Sequence, residues 1–377
     1  MRIRTVDFFA LDAPLAAGRA YGMSKALATG RQTTVVKLGL EDGTIGYGEA
    51  WGMPAVNLAY VPFLRSYLLG ASVFDCELVF ARMLARHYHF GVQNQMMACL
   101  SGIDMAAKDA AGKLLDLPVC RLIGGRGRER VPIYASGGYI TENPDRDFEP
   151  QIAAMAEAGY PAVKIKIGLS PESDERRVAI ARDMLGDGVD IMADINSNYT
   201  CDLARESIER MAPYRVGWVE EPLSPLDFEG LEILHGASPL PLATGEALYT
   251  VFDFKRLTDR RVIDVLQPDL SLCGGFWQGR KIADLAATSH VRLSPHVWGS
   301  GIGLAAAVHY VAALPPWPHA DNVPKPSLVE YDVGENPLRF GVLREPLAAE
   351  DGFIAVPDGP GLGIEVDEEA FERYAAT

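Results

Sequence analysis

The stretch Val163-Lys164-Ile165-Lys166-Ile167-Gly168 alternates apolar and basic residues and stops at a glycine, the pattern of a short strand running into a turn. It is one of a series. Short β-branched or apolar runs end at Gly137, Lys166, Asp194, Glu220, Glu246, Asp269 and His296, with steps of 28, 26, 26, 23 and 27 residues between the last six. Each interval carries a helical pattern, as in Ser173 to Leu185 and Asp202 to Met211. Strand-then-helix units of this period, extending over roughly 200 residues, predict an α/β fold of the (β/α)8 TIM-barrel type. An open dinucleotide-binding sheet is the competing architecture. No G-x-G-x-x-G follows the first strand, and the nearest match, Gly301-Ile-Gly-Leu-Ala-Ala, comes late and lacks the expected following unit.

Outward from this core the rhythm changes. Residues 1–10 alternate like a strand, and Thr33 to Leu38 and Ile45 to Glu49 are joined through Glu41-Asp42-Gly43-Thr44, where Asp-Gly between apolar runs signals a hairpin. A three-stranded antiparallel meander is expected there. Ala16 to Gly30, between its first two strands, reads as a Gly/Ala/Ser-rich loop bearing Arg19, Tyr21 and Lys25, long enough to suggest function. Residues 54–117 turn helical, and Pro118 and Gly124-Gly125 close that section. The resulting division is an α+β capping domain over 1–125, the barrel over 126–344, and a C-terminal segment over 345–377. In that last segment the strand at 351–356 is expected to return to the meander.

Composition narrows the function. A formal charge of −15 argues against nucleic acid or an anionic membrane as partner, and an anionic substrate would have to be drawn in by local positive groups or a metal. The most apolar late stretch, Gly301 to Leu314, contains His309 and is too short to span a bilayer, so it reads as a packed helix. Five scattered cysteines without a C-x-x-C pair, and an N-terminus without a signal-peptide pattern, fit reduced thiols and a cytoplasmic location. A homo-oligomer is expected.

In a barrel the chemistry sits at the C-terminal ends of the strands. Asp194, Glu220 and Glu246 end three consecutive strands, and three converging carboxylates repel one another unless a cation lies among them. All-oxygen ligation without His or Cys favours Mg2+ over Zn2+. Glu220 and Glu221 are adjacent, strand alternation lets only one face inward, and the residues themselves leave that choice open. Asn196, two beyond Asp194, is a candidate for the metal's outer surroundings. Lys164 and Lys166 share one strand face, and mutual proximity or a nearby cation would lower their proton affinity toward that of a general base. Asp269 can orient His296 and raise its basicity. Glu330 is placed at the end of the eighth strand, where, if protonated, it could donate to substrate; Trp298, Tyr139 and Tyr21 are candidates to shape the pocket.

The succession Lys164-x-Lys166, Asp194-x-Asn196, Glu220-Glu221-Pro222, Gly245-Glu246, Gln267-Pro268-Asp269 and Pro295-His296 resembles the mandelate racemase branch of the enolase superfamily, over essentially the whole chain. The resemblance implies Asp194, Glu220 and Glu246 as Mg2+ ligands, so that Glu220 is chosen over Glu221. It also implies Lys166 as base on one face of a small carboxylate substrate, the His296–Asp269 dyad on the other, and Lys164 against the substrate carboxylate. Leu266 to Phe276, Pro295 to Gly299, Val342 to Leu347 and Pro357 to Glu365 look like the galactarolactone cycloisomerase group. The implied chemistry is dehydration or cycloisomerisation of a sugar acid or its lactone. The alternatives are an epimerase, racemase or dehydratase acting on an amino-acid derivative such as a hydroxyproline, or a sugar-acid binding protein without catalysis.

Overall fold

The computed structural model describes residues 1–316, 318 and 323–376. The chain opens with β1 (Ile3–Pro14), the short strands β2 (Tyr21–Met23) and β3 (Ala26–Ala28), then β4 (Gly30–Leu40) and β5 (Ile45–Ala50). β1, β4 and β5 form the antiparallel meander, in the order β1-β4-β5. Helices α1 (Pro54–Leu68), α2 (Cys76–Arg86) and α3 (Gln95–Leu115) cover it, and the five-residue α4 (Val119–Ile123) leads to the barrel. Contact between sheet and α3 is unusually close. A Cβ on Gly46 would fall 2.0 Å from Ala106 O, and one on Gly48 would fall 2.0 Å from Gly102 O, so the two elements meet backbone to backbone.

The barrel strands are β6 (Arg130–Gly137), β8 (Ala162–Lys166), β9 (Asp190–Asp194), β10 (Val219–Glu220), β11 (Leu242–Thr244), β12 (Val265–Leu266), β13 (Arg292–Leu293) and β14 (Val329–Asp332). Between them run α5 (Phe148–Glu157), α6 (Pro171–Leu185), α7 (Cys201–Met211), α8 (Phe228–Ala237), α9 (Val251–Arg260), α10 (Gly275–Ser289) and α11 (Gly301–Ala312). The pairing is parallel throughout, and the path β13-β12-β11-β10-β9-β8-β6-β14 makes the seventh and eighth strands its two ends. Side chains join those ends: Leu328 N donates to Ser294 Oγ at 3.1 Å and Val297 N to Glu330 Oε2 at 3.2 Å. Tyr134, Met192, Trp218, Ala243 and Val265 pack as one buried layer within the barrel. Such a filled interior puts the chemistry at the mouth rather than along a pore.

Two sequence expectations change. Residues 16–30 are not a loop: β2 and β3 form a hairpin whose β2 pairs with β7 (Ile140–Thr141), directly after the first barrel strand. Three-residue strands are too short to hold as an isolated hairpin and need the barrel as partner. The strand β15 (Phe353–Ala355) does not join the meander; it pairs antiparallel with Arg130–Pro132 of β6. The chain reaches the cap instead through α12 (Pro337–Gly341), which precedes the strand, and α13 (Glu369–Arg373), which follows it. Asp12 N donates to Tyr374 O at 2.8 Å, and Phe9 stacks on Phe371 with centroids 4.6 Å apart. The late apolar stretch is the packed helix α11. Among the described residues no helix is long and apolar enough to cross a membrane.

Candidate active site

Parallel pairing aligns neighbouring strand ends, and here it aligns charges. Lys166 lies opposite Asp194 and Val219-Glu220 opposite Ala193-Asp194 in the register. Glu246 follows β11 by two residues, across Gly245. Gly245 sits at φ +143°, and a Cβ there would fall 2.9 Å from Gln267 N, so only glycine lets the chain turn Glu246 into the mouth. One carboxylate oxygen from each of Asp194, Glu220 and Glu246 lies within 4.8 Å of the others. Glu221 leaves the strand at φ +41° and stays outside that trio, though buried beside it.

The electrostatics are those of a site short of positive charge. Burial first, then Asp194, Glu330 and Glu246 against the opposing pull of Lys164, pushes the Glu220 carboxyl up to about 8. Burial and the neighbouring acids raise Glu221 well above the carboxylate range. Glu246 Oε2 and Asn196 Oδ1 are buried acceptors without a hydrogen-bond partner. Oxygen donors only, crowded negative charge and two idle acceptors together fit a hard divalent cation held by Asp194, Glu220 and Glu246. Asn196, whose N–H donates to Asp194 Oδ1 at 2.9 Å, stands directly behind that cluster.

The sequence predicts that mutual proximity or a nearby cation lowers the proton affinity of the two lysines. Burial does work in that direction, but the acids outweigh it. Lys166 Nζ lies 2.6 Å from Asp194 Oδ2 and its affinity is raised; Lys164, wholly buried one pleat deeper, is raised further by Glu220 and Glu330. Lys164 Nζ also pairs with Glu220, with Glu330 Oε1 at 2.8 Å and with Asp194 at 3.4 Å.

Glu330 departs from expectation too. It lies inside β14, which runs on to Asp332; burial pushes its carboxyl up, but Lys164, His296 and Lys166 outweigh that and hold it below the usual range. That direction runs against a protonated Glu330 donating to substrate. The imidazole of His296 is fixed by Asp269, with Nδ1 2.8 Å from Oδ2, and its Nε2 stands 3.5 Å from Glu246. Burial would lower its proton affinity, yet Glu246, Glu330 and Asp269 push it up to about 10, so the ring carries its proton.

Other residues that orient this set carried no assigned role in the sequence. Trp218 Nε1 and Gln267 Nε2 both donate to Glu220 Oε2, at 3.1 and 2.6 Å. Ser271 donates from backbone and side chain to Asp269 Oδ1. Trp218 precedes Glu220 by two, as Gln267 precedes Asp269, so same-face spacing was the available signal. Nothing in the sequence singles out Arg31. It pairs with Asp332 at 2.8 Å, stacks 3.6 Å from the Trp298 ring centroid, and contacts Tyr21 Oη at 3.2 Å. Tyr21, Tyr139 and the half-buried Trp298 form one aromatic wall, with Lys166 Nζ 5.8 Å from the Trp298 centroid.

Comparison with known proteins places this arrangement. Residues 16–124 match the mandelate racemase/muconate lactonizing enzyme N-terminal domain, and residues 147–370 the enolase C-terminal domain-like family. The chain belongs to the mandelate racemase/muconate lactonizing enzyme family. It is thus an enzyme of the enolase superfamily. It is 37% identical over 346 residues to the D-galactarolactone cycloisomerase of Agrobacterium fabrum, covering 91% of each chain. It is 32% identical over 340 residues to the arabinonate dehydratase of Saccharolobus solfataricus, covering 88% of each. Among solved structures, a racemase from Streptomyces coelicolor with bound magnesium superposes with a TM-score of 0.88 at 28% identity, over 99% of this chain and 100% of that one. The two relatives compared by sequence are thus a cycloisomerase and a dehydratase of the sugar-acid class, and they support the same general reaction for this family member.

Proposed function

We propose that this family member removes the α-proton of a sugar-acid or sugar-lactone carboxylate and carries the enediolate on to dehydration or cycloisomerisation, with Mg2+ as its metal. The observation that carries the reading is the strand order. The carboxylates at the ends of β9 and β10 and just beyond β11 lie consecutively, with Lys166 on β8 to one side and the Asp269–His296 pair to the other. Bound by Asp194, Glu220 and Glu246, the cation would supply positive charge against the enediolate and draw the Asp194 charge away from Lys166.

Lys166 Nζ, once uncharged, takes the α-proton. His296, which Asp269 orients and the surrounding acids keep protonated, gives its Nε2 proton to the departing β-oxygen or to the opposite face of the α-carbon. Lys164 balances Glu220 and Glu330 beneath the reaction plane. Trp298 and Tyr21 bound the substrate side.

The test is isotope exchange. In deuterated water with Mg2+, acid sugars and their lactones are expected to take up deuterium beside the carboxylate. Lys166→Ala should slow that uptake on its face by about a hundredfold or more, the scale of a lost general base. Retained uptake there would remove Lys166 from its role. Uptake by hydroxyproline derivatives alone would overturn the substrate class, and uptake by no compound would overturn the proton-abstraction reading.

A further inference from the structure

Between His296 and α11 the chain makes only four residues, Val297 to Ser300, and each has a backbone polar group in the grip of a side chain. Val297 N donates to Glu330, Trp298 O accepts from Arg31 Nη2 at 2.7 Å, and Gly299 O accepts from Asn336 Nδ2 at 3.1 Å. The fourth grip is the most complete. Glu49, at the end of β5 in the cap and wholly buried, accepts from Ser300 N at 2.8 Å, Ser300 Oγ at 2.7 Å and Gly303 N at 2.8 Å, and from Thr33 Oγ1 at 2.6 Å. A carboxylate from one sheet thus fills the N-terminal donors of a helix in the other part of the molecule, where negative charge is favoured. Space has been made for it. A Cβ on Gly299 would fall 2.1 Å from Glu49 Oε1, and one on Gly303 2.7 Å from Oε2.

Lys166 is held differently. Its carbonyl accepts from Arg177 Nε at 2.9 Å, and Arg177, buried on α6, also binds Gly138 O at 2.6 Å and stacks on Phe148. Those partners all belong to the barrel. The two sides of the site therefore have different supports: barrel residues alone behind Lys166, but on the segment after His296 the cap residues Arg31 and Glu49 in addition to Glu330 and Asn336 of the barrel.

We propose that Glu49 is a positioning residue for His296, fixing the segment that carries the imidazole to one face of the substrate without touching substrate itself. This rests on Lys166 and His296 being the two proton-transfer groups. A base displaced by about 1 Å can lose about a hundredfold in rate, so the effect should be large on one face and small on the other.

The test uses the full-length protein with Mg2+ in deuterated water and two probes, D-galactarolactone and its epimer at the carbon beside the carboxylate. Lys166→Ala and His296→Ala define which probe depends on which face. Glu49→Gln puts an NH2 among donors; it is expected to slow exchange of the His296-dependent probe by about 10- to 100-fold and leave the Lys166-dependent probe near wild type. Gly303→Ala is the second variant. It keeps the carboxylate, raises helix propensity, and displaces Glu49 Oε2 by the steric clash above; the same one-sided loss is expected.

Amide hydrogen exchange supplies a readout independent of activity: residues 297–303 should lose protection in both variants while residues 162–168 do not. Equal slowing of both probes, or unchanged protection at 297–303, would overturn the proposal. If wild type exchanges neither probe, the sugar-lactone substrate class falls, and amide protection at 297–303 against 162–168 alone then decides for or against the role of Glu49.

Discussion

At the residue scale, the site is a balance of buried charges, and a second buried group shows how the fold manages one without a counterion. His309 on α11 accepts from Cys120 N at Nδ1 (3.3 Å) and donates from Nε2 to Leu362 O (3.0 Å). A proton added at Nδ1 would face the Cys120 N–H, donor against donor. Burial and Arg126 accordingly hold its affinity down to about 4, despite the favourable Leu362 contact. The unfolded chain takes up that proton near pH 6.5. Below this pH the unfolded state therefore binds a proton that the native state refuses, so stability is complete above about pH 6.5 and declines as pH falls toward 4. The loss amounts to at most about 3 kcal/mol. His309→Gln should flatten that part of the curve, measured as the difference in urea midpoint between pH 7 and pH 4.5. An unchanged slope would show that other groups set the acid limit.

At the element scale, the face of β5 against α3 decides how the cap sheet sits, and with it where Glu49 arrives. Gly46 and Gly48 lie against Gly102, Ala106 and Ala110 with no room for a methyl group. Gly48→Ala is expected to force the helix off the sheet and cost about 2–3 kcal/mol, read as a lower urea midpoint at unchanged slope. Because Glu49 is the next residue, the same variant should also slow turnover more than its stability loss explains at a temperature where it stays folded. The hairpin β2–β3 belongs to this scale as well. Its pairing with β7 stitches the cap to the first barrel loop, and Ser24 Oγ donates to Ile195 O at 3.3 Å next to the Asp194 cluster.

At the scale of the whole molecule, the carboxylates at the mouth oppose folding until something neutralises them. A cation that binds only the native state stabilises it by mass action, about 2.7 kcal/mol at a hundredfold excess over its dissociation constant. Millimolar Mg2+ should raise the melting temperature, EDTA should reverse the rise, and Glu246→Gln should blunt it by removing one ligand. A melting temperature indifferent to Mg2+ would count against a metal held by Asp194, Glu220 and Glu246.

What the sequence determined by itself was the repeating unit and the face on which charge collects. Strand ends about 26 residues apart declare a barrel, because each crossover must span one helix and return; period-two spacing puts Lys164 with Lys166 and Asp194 with Asn196 because strands alternate. Those signals are local and survive in one dimension. Only the tertiary structure decided the balance among the charges. Acids from three other strands raise the proton affinity of Lys164 and Lys166, and those same lysines hold the Glu330 carboxyl below its usual range. Only tertiary contact, likewise, brought Arg31 and Glu49 to the His296 segment, across some 250 residues of chain. A sum of electrostatic interactions depends on distances between elements, and no periodicity in the sequence encodes those.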